Sequence, residues 1–155
     1  MKNYNNPRSP GGRSSGSHGR PTRYPKGYLD KGYFDEDGYI RQELLRETAW
    51  TIAESFGRGL SNSQLRRFYG HVKTAEKSFL YSGDEKKFIN DIISLDHFVA
   101  EAKGKGNVPE QFYEFVHDNT SAVRTIKDIR KGLLPHFQAV VAYFTYKYPS
   151  KYPRS

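Results

Sequence analysis

From residue 40 onward, apolar residues recur at intervals of three and four positions, which is the period of an α-helix. The clearest case begins at Ser61, because Gln64 follows three residues later and completes the signature of a capping box. One face of this helix is predicted to be buried, and it consists of Leu65, Phe68, Val72, Ala75 and Phe79. No alternation of polar and apolar residues is long enough to indicate a strand. The sequence therefore predicts an all-α fold, a compact bundle of five or six short helices.

Further helices are predicted on both sides of this one, because glycine and proline divide the remaining apolar periods into separate runs. These runs cover residues 39–60, 82–102, 108–119, 120–132 and 133–149. Asp84 is a suitable cap for the second run, which forms either one helix or a helix with a break near Leu95. The last two runs are expected to separate at Gly132, with Pro135 restarting the chain.

Basic residues concentrate at the N-terminal end of the chain. The formal net charge is +8, and residues 1–33 contain seven basic residues against the single acid Asp30. Residues 1–38 are rich in glycine, proline, serine and arginine, so they are predicted to form a disordered tail that either attracts phosphates or only aids solubility. Their prolines argue against an organelle transit peptide. The helical domain is predicted to cover residues 39–148, followed by a short basic tail at residues 149–155.

The sequence offers little for catalysis. It contains no cysteine, which excludes thiolate chemistry and cysteine zinc sites, and no two of its five histidines lie four residues apart. His117 and Asp118 resemble the dyad of metal-dependent phosphohydrolases, but a chance occurrence explains them better. We therefore predict a non-enzyme without metal or cofactor. No apolar run approaches the roughly 18 residues of a membrane span, so a cytoplasmic protein is expected.

Basic residues also follow one side of the helix that begins after Ser61. At about 100 degrees per residue, Arg66, Lys73 and Lys77 form one stripe that includes Gly70, whereas Arg67 points elsewhere. This stripe could serve as a phosphate track, with Gly70 allowing a nucleic-acid backbone to come close. In the other interpretation, which spacing alone favours, the stripe is a solvated edge and Gly70 allows another helix to pack closely.

Two further groups of cations are candidates for phosphate contact. Arg124, Lys127 and Lys131 are predicted to form a second stripe on the run 120–132. Lys103 and Lys105 lie in a loop made flexible by its glycines. A helix-turn-helix regulator of DNA is an alternative interpretation of residues 54–72, which read as helix, glycine turn and helix.

Three segments together resemble a known family. They are LSNSQLRRFYGHV, FINDIISLDHFVAEAKGKG and HFQAVVAYFTY, and the resemblance extends over about residues 44–146. The family is the small subunit of the Csm complex, the type III-A CRISPR effector. Membership implies a small helical protein without catalysis of its own, whose copies stack as a filament and touch crRNA and target RNA, largely through phosphates. Its partners would be the repeated backbone subunit, which cleaves target RNA, and the large subunit.

The resemblance also assigns residues. Arg66 matches the arginine of the family motif Ser-x-Leu/Ile-Arg, in which Ser63 is the serine, and Lys105 matches the basic residue after the third helix. Ala139, Val140 and Tyr143 match a core helix. The sequence departs from the family at Gln64, where lysine is frequent, and at Asp96 and His97, where a basic residue is common.

The predicted function is therefore that of an RNA-binding small subunit in antiviral defence. The expected RNA contacts are Arg66, Lys73, Lys77, Lys103, Lys105, Arg124, Lys127 and Lys131. The alternatives are the small subunit of the related Cmr complex and the helix-turn-helix regulator.

Overall fold

The computed structural model describes residues 22–150 and confirms the all-α prediction. The predicted tail residues 1–21 and 151–155 lie outside the described part. The helices are α1 (Glu47–Phe56), α2 (Asn62–Ser82), α3 (Glu85–Ile93), α4 (Leu95–Gly104), α5 (Glu110–Ala122) and α6 (Leu134–Lys147). Short 3-10 turns, Gln42–Leu44 and Gly57–Gly59, flank α1, and a π-helical turn, Asp128–Leu133, leads into α6. The sole strand-like pairing within residues 22–150 is an isolated bridge between Phe34 and Ile40.

Helix α6 lies at the centre of the bundle. It packs most extensively on α1 and also contacts α2 and the π-helical turn. Aromatic rings fill the space around it, as in the edge-to-face pair of Phe115 and Phe137, whose centroids are 5.0 Å apart. The predicted core positions of α6 are confirmed, since Val140 is fully buried and Ala139 and Tyr143 are partly buried against the core.

The predicted break near Leu95 is present and separates α3 from α4. The last residue before the break, Ser94, donates a hydrogen bond from its hydroxyl to the carbonyl of Asn90 at 2.8 Å. Such a bond competes with the backbone ladder and bends a helix. Leu95 then begins α4 and is buried.

The predicted separation of the last two helices at Gly132 is wrong. The chain leaves helical geometry earlier, at residues 123–125, and is helical again from Ile126. Thr125 and Asp128 form a reciprocal cap there, because the Thr125 hydroxyl accepts from the Asp128 amide at 3.1 Å and the Asp128 carboxylate accepts from the Thr125 amide at 3.0 Å. Gly132 lies inside the π-helical turn, and this wide turn passes without a break into α6, where Pro135 occupies the first turn.

Residues 22–39, which we call the N-terminal arm, pack against the helices. Residues 22–38 belong to the segment that was predicted to form a disordered tail, and for these residues that prediction is wrong. Tyr24 and Tyr33 are buried to 4% and 2% exposure, and Tyr28 is partly buried against the core. The tyrosines supply the apolar surface that the composition of the tail lacks on average, so ordering this segment is favourable.

Hydrogen bonds join the N-terminal arm to buried polar groups of α5 and α6. The Tyr33 hydroxyl donates to the side-chain oxygen of Asn119 at 2.8 Å, and the Asn119 amide donates to the Tyr28 hydroxyl at 2.9 Å. The Tyr28 hydroxyl and Nε2 of His136 are 2.8 Å apart, and Nδ1 of His136 lies 2.7 Å from the Leu44 carbonyl. Because a carbonyl only accepts, His136 carries its proton on Nδ1 and accepts from Tyr28 at Nε2.

We predict that this buried histidine makes folding sensitive to mild acid. Burial lowers the pKa of His136 to about 4, whereas the unfolded chain binds this proton near pH 6.5. The unfolded state therefore takes up more protons between these pH values, so the free energy of unfolding falls as the pH drops through this window, by about 3 kcal/mol in total. Urea unfolding of the full chain at pH 7 and pH 5 measures the effect. His136→Gln should be less stable at pH 7 but lose less stability at pH 5, and an unchanged pH dependence in this variant would contradict the assignment.

A second prediction concerns the contact between the N-terminal arm and the π-helical turn. A Cβ atom at Gly132 would lie 2.6 Å from Cγ of the buried Tyr33. Gly132→Ala should therefore lower the free energy of unfolding by about 1–3 kcal/mol, because the ring cannot move away without strain. Gly104→Ala is the matched control, since within residues 22–150 no atom outside its own helix lies within 4 Å of the added methyl group. Equal stability of the two variants in urea would show that Tyr33 does not pack on Gly132.

Candidate nucleic-acid interface

The orientation of α2 is fixed by its first residues and its buried stripe. Ser61 caps the helix as predicted, because its hydroxyl accepts from the Gln64 amide at 3.0 Å and the Gln64 side chain accepts from the Ser61 amide at 2.9 Å. The predicted apolar face is confirmed, with Leu65, Phe68, Val72 and Ala75 buried and Phe79 partly buried. The remaining side of the helix therefore faces outward.

The outward side of α2 carries positive charge without acidic residues. We call Arg66, Arg67, Gly70, Lys73 and Lys77 the basic face, and the four cationic side chains on it are exposed. Glu76 is the only acidic residue of α2. Because the acid lies off this face, the exposed cations dominate the local potential.

Glu76 turns toward the π-helical turn and is largely covered. Its side chain is 14% exposed, and its carboxylate lies 3.0 Å from Nε of Arg130 and 3.4 Å from Nζ of Lys73. Burial raises the pKa of Glu76, but the hydrogen bond from Arg130 and the charge of Lys73 outweigh burial, so the pKa is lowered. Glu76 therefore stays ionised and compensates part of the charge of Lys73. Arg66, Arg67 and Lys77 keep the basic face positive.

Gly70 lies on the basic face, on a side of α2 that is open in the described part of the chain. Within residues 22–150, no atom outside α2's own backbone lies within 4 Å of the position that a Cβ would take. The interpretation in which Gly70 admits a closely packed helix is therefore wrong. The structure leaves an open site on a helix where glycine costs about 1 kcal/mol relative to alanine.

We predict that Gly70→Ala stabilises the protein. The variant should raise the free energy of unfolding by up to about 1 kcal/mol, because alanine has the higher helix propensity and its methyl group meets no neighbour. Urea unfolding measures the change, and a loss of stability would show that Gly70 has a packing role after all.

Arg66 lies at the edge of the basic face that adjoins α6. Its guanidinium donates to the Thr145 hydroxyl at 3.1 Å, and Thr145 donates in turn to the side-chain oxygen of Asn62 at 3.2 Å. These bonds leave the guanidinium exposed but limit its rotamers. An arginine held in this way loses less entropy when it binds a phosphate.

The predicted loop position is wrong for Lys103, which lies in the last turn of α4, whereas Lys105 is the first residue after that helix. Lys105 caps the end of α4 and pairs with Glu101 at 3.0 Å, while Lys103 pairs with Glu110 at 3.6 Å. Lys105 and Arg67 line the same cleft between α2 and α4. Sequence spacing predicted Arg67 to point away from the stripe, which is correct, but it gave no sign that Arg67 shares a cleft with Lys105.

The second predicted stripe is not a helix face. Arg124 precedes the cap at Thr125 and lies outside the helix, so the angular argument for this residue is wrong. The Lys127 ammonium lies 4.4 Å from the centroid of the Phe34 ring in a cation–π contact. Lys131 is exposed in the π-helical turn, next to Arg130, which the sequence analysis did not select.

The side chains of His117 and Asp118 have different hydrogen-bond partners. His117 Nδ1 lies 3.0 Å from the carboxylate of Asp96, whereas Asp118 accepts a hydrogen bond from Tyr24 at 2.7 Å. Within residues 22–150, no three histidine, aspartate or glutamate side chains are grouped closely enough to hold a metal ion. In the same part of the chain, no helix has the length and apolar character needed to cross a membrane.

Comparison with known proteins supports the resemblance seen in the sequence. A family model described as Csm2, type III-A, matches residues 40–150, which include all six helices. No curated protein and no solved structure gives a significant match. The match covers most of the chain, including α2 with its basic face and the cleft beside it. This chain belongs to the Csm2 family and is a small subunit of a type III-A CRISPR effector complex.

Proposed function

We propose that this chain is a non-catalytic RNA-binding subunit that holds crRNA and target RNA inside the Csm ribonucleoprotein through phosphate contacts, in antiviral defence in the cytoplasm. The observation that carries the proposal is the basic face of α2, where four exposed cations lie around an open glycine. Glu76, the acidic residue of this helix, is only 14% exposed and pairs with Lys73 and Arg130. Phosphate oxygens are the partners that such a surface favours.

The geometry of α2 suits a nucleic-acid backbone. Arg66, Lys73 and Lys77 follow three turns of the helix, over about 16 Å. Gly70 lies among them, so the backbone of an RNA strand can approach the helix more closely there than at any residue with a side chain. Lys105, which lines a cleft with Arg67, extends the positive surface at one edge. Lys103 on α4 and Lys131 in the π-helical turn are further candidates.

Partners other than RNA follow from the family. A small subunit works beside the repeated backbone subunit and the large subunit, and we propose that copies of this chain stack along the RNA. Arg124 and Lys127 are weaker candidates for RNA contact. Arg124 donates a hydrogen bond to the Ser121 carbonyl, and Lys127 makes a cation–π contact with Phe34. Cleavage belongs to other subunits of the complex.

The phosphate contacts can be tested by removing two cations from the basic face. Arg66→Ala combined with Lys73→Ala should weaken the binding of single-stranded RNA and lower the slope of log affinity against log salt by about 1.4, which is the release of two counterions. A salt series of RNA affinities with the full chain measures both quantities. Lys87→Ala is the matched control, because this exposed lysine pairs with Asp91 within α3.

Two results would contradict the proposal. One is an unchanged salt slope in the double variant. The other is a strong preference of the unaltered chain for one duplex DNA sequence over scrambled duplexes, which would favour the helix-turn-helix regulator.

A further inference from the structure

A cleft of about 220 Å³ separates the N-terminal half of α2 from the C-terminal half of α4. Its inner surface is apolar, with Phe68, Ala102 and Val108 buried or partly buried. Its rim is polar and includes Arg67 and Lys105. The volume is below the roughly 300–1,000 Å³ of drug-sized ligand sites, so the cleft suits one flat ring system rather than an extended ligand.

One wall of the cleft is aromatic and open to solvent. The rings of His71 and Phe98 are nearly parallel, at 3° with their centroids 5.9 Å apart. Phe98 is 55% exposed, although a phenyl ring gains more from burial than almost any other side chain. Exposed aromatic rings next to cations are the feature with which proteins stack unpaired bases of RNA.

The charges at the rim favour an anionic group such as a phosphate over a neutral peptide. Arg67 and Lys105 contribute two positive charges, and Glu101 is the single acid of the lining. The ion pair between Lys105 and Glu101 is 64% exposed on both sides, so it is weak and easily exchanged for a phosphate. Gln64 stays engaged in the cap of α2 and with the Asn107 carbonyl at 2.8 Å, which keeps the loop beside the cleft in place.

From this geometry we infer that the cleft between α2 and α4 binds one unpaired nucleotide of RNA. Its base stacks on Phe98 beside His71, and Arg67 and Lys105 hold its phosphate. Arg66 and Arg67 then serve opposite edges of α2, so one strand crosses the basic face over Gly70 and places a base in the cleft. The inference rests on the proposed RNA binding and adds a base contact to the phosphate contacts.

The test uses the full chain with two probes, a short single-stranded RNA carrying 2-aminopurine and the fully paired duplex of the same strand. Phe98→Ala should lower the affinity for the single strand on the order of tenfold. It should also restore the 2-aminopurine fluorescence that stacking quenches, and leave the affinity for the duplex unchanged. Phe98→Tyr, which keeps the ring, should behave like the unaltered chain. Because Phe98 is largely exposed, neither variant should change the thermal unfolding temperature.

Arg66→Ala separates this inference from the proposed function, because this variant should lower the affinities for the single strand and for the duplex by the same factor. In one outcome, Phe98→Ala leaves the single-strand affinity and the quenching unchanged, while Arg66→Ala lowers the affinity for both probes. The inferred nucleotide site is then wrong, and the proposed RNA binding stands. If Phe98→Ala changes only self-association in sedimentation, a protein occupies the cleft and the inference is overturned. If substitution of Arg66, Lys73 or Phe98 by alanine leaves the affinity for RNA unchanged in every case, both proposals fail.

Discussion

Burial of one apolar stripe on α2 determines what the rest of this helix can do. A helix has a single angular setting once one side is packed, and Leu65, Phe68 and Val72 fix that setting against α6 and α3. The opposite side must then face solvent or a partner. This angular setting determines which residues of α2 can contact RNA. It also directs Arg66 and Arg67 toward different edges of the helix.

The N-terminal arm stabilises the same arrangement from the other side of the bundle. Tyr28 and Tyr33 pack on α5 and on the π-helical turn, and His136 joins the arm to α6. Thr145, which orients Arg66, lies on α6. By packing on α6, the arm therefore also supports the position of Arg66 on the basic face. Residues 22–39 precede the stretch that matches the family model, and they are ordered against its helices in this chain.

Local signals in the sequence were sufficient for most of the helices but not for the break at residues 123–125 or for contacts between helices. The Ser61 cap, the apolar stripe of α2 and the break before Leu95 depend on residues a few positions apart, so spacing predicted them. The burial of Tyr33 depends on Asn119, which is 86 residues away in sequence, and on Gly132, which is still more distant. The composition around Tyr33 alone suggested disorder. Arg67 and Lys105 line one cleft from different segments of the chain, and a helical wheel describes only a single helix. The cap at Thr125 and Asp128 was visible in the sequence as Thr-x-x-Asp, and it would have placed Arg124 outside the helix.

The central claim is that the outward side of α2 lies on RNA phosphates within the complex. Lysine acetylation of the full chain, read by mass spectrometry with and without single-stranded RNA, tests this claim residue by residue. Lys73 and Lys77 should lose reactivity when RNA is bound, while Lys87 on α3 should react equally in both states. Equal reactivity of Lys73 and Lys77 with and without RNA would contradict the account.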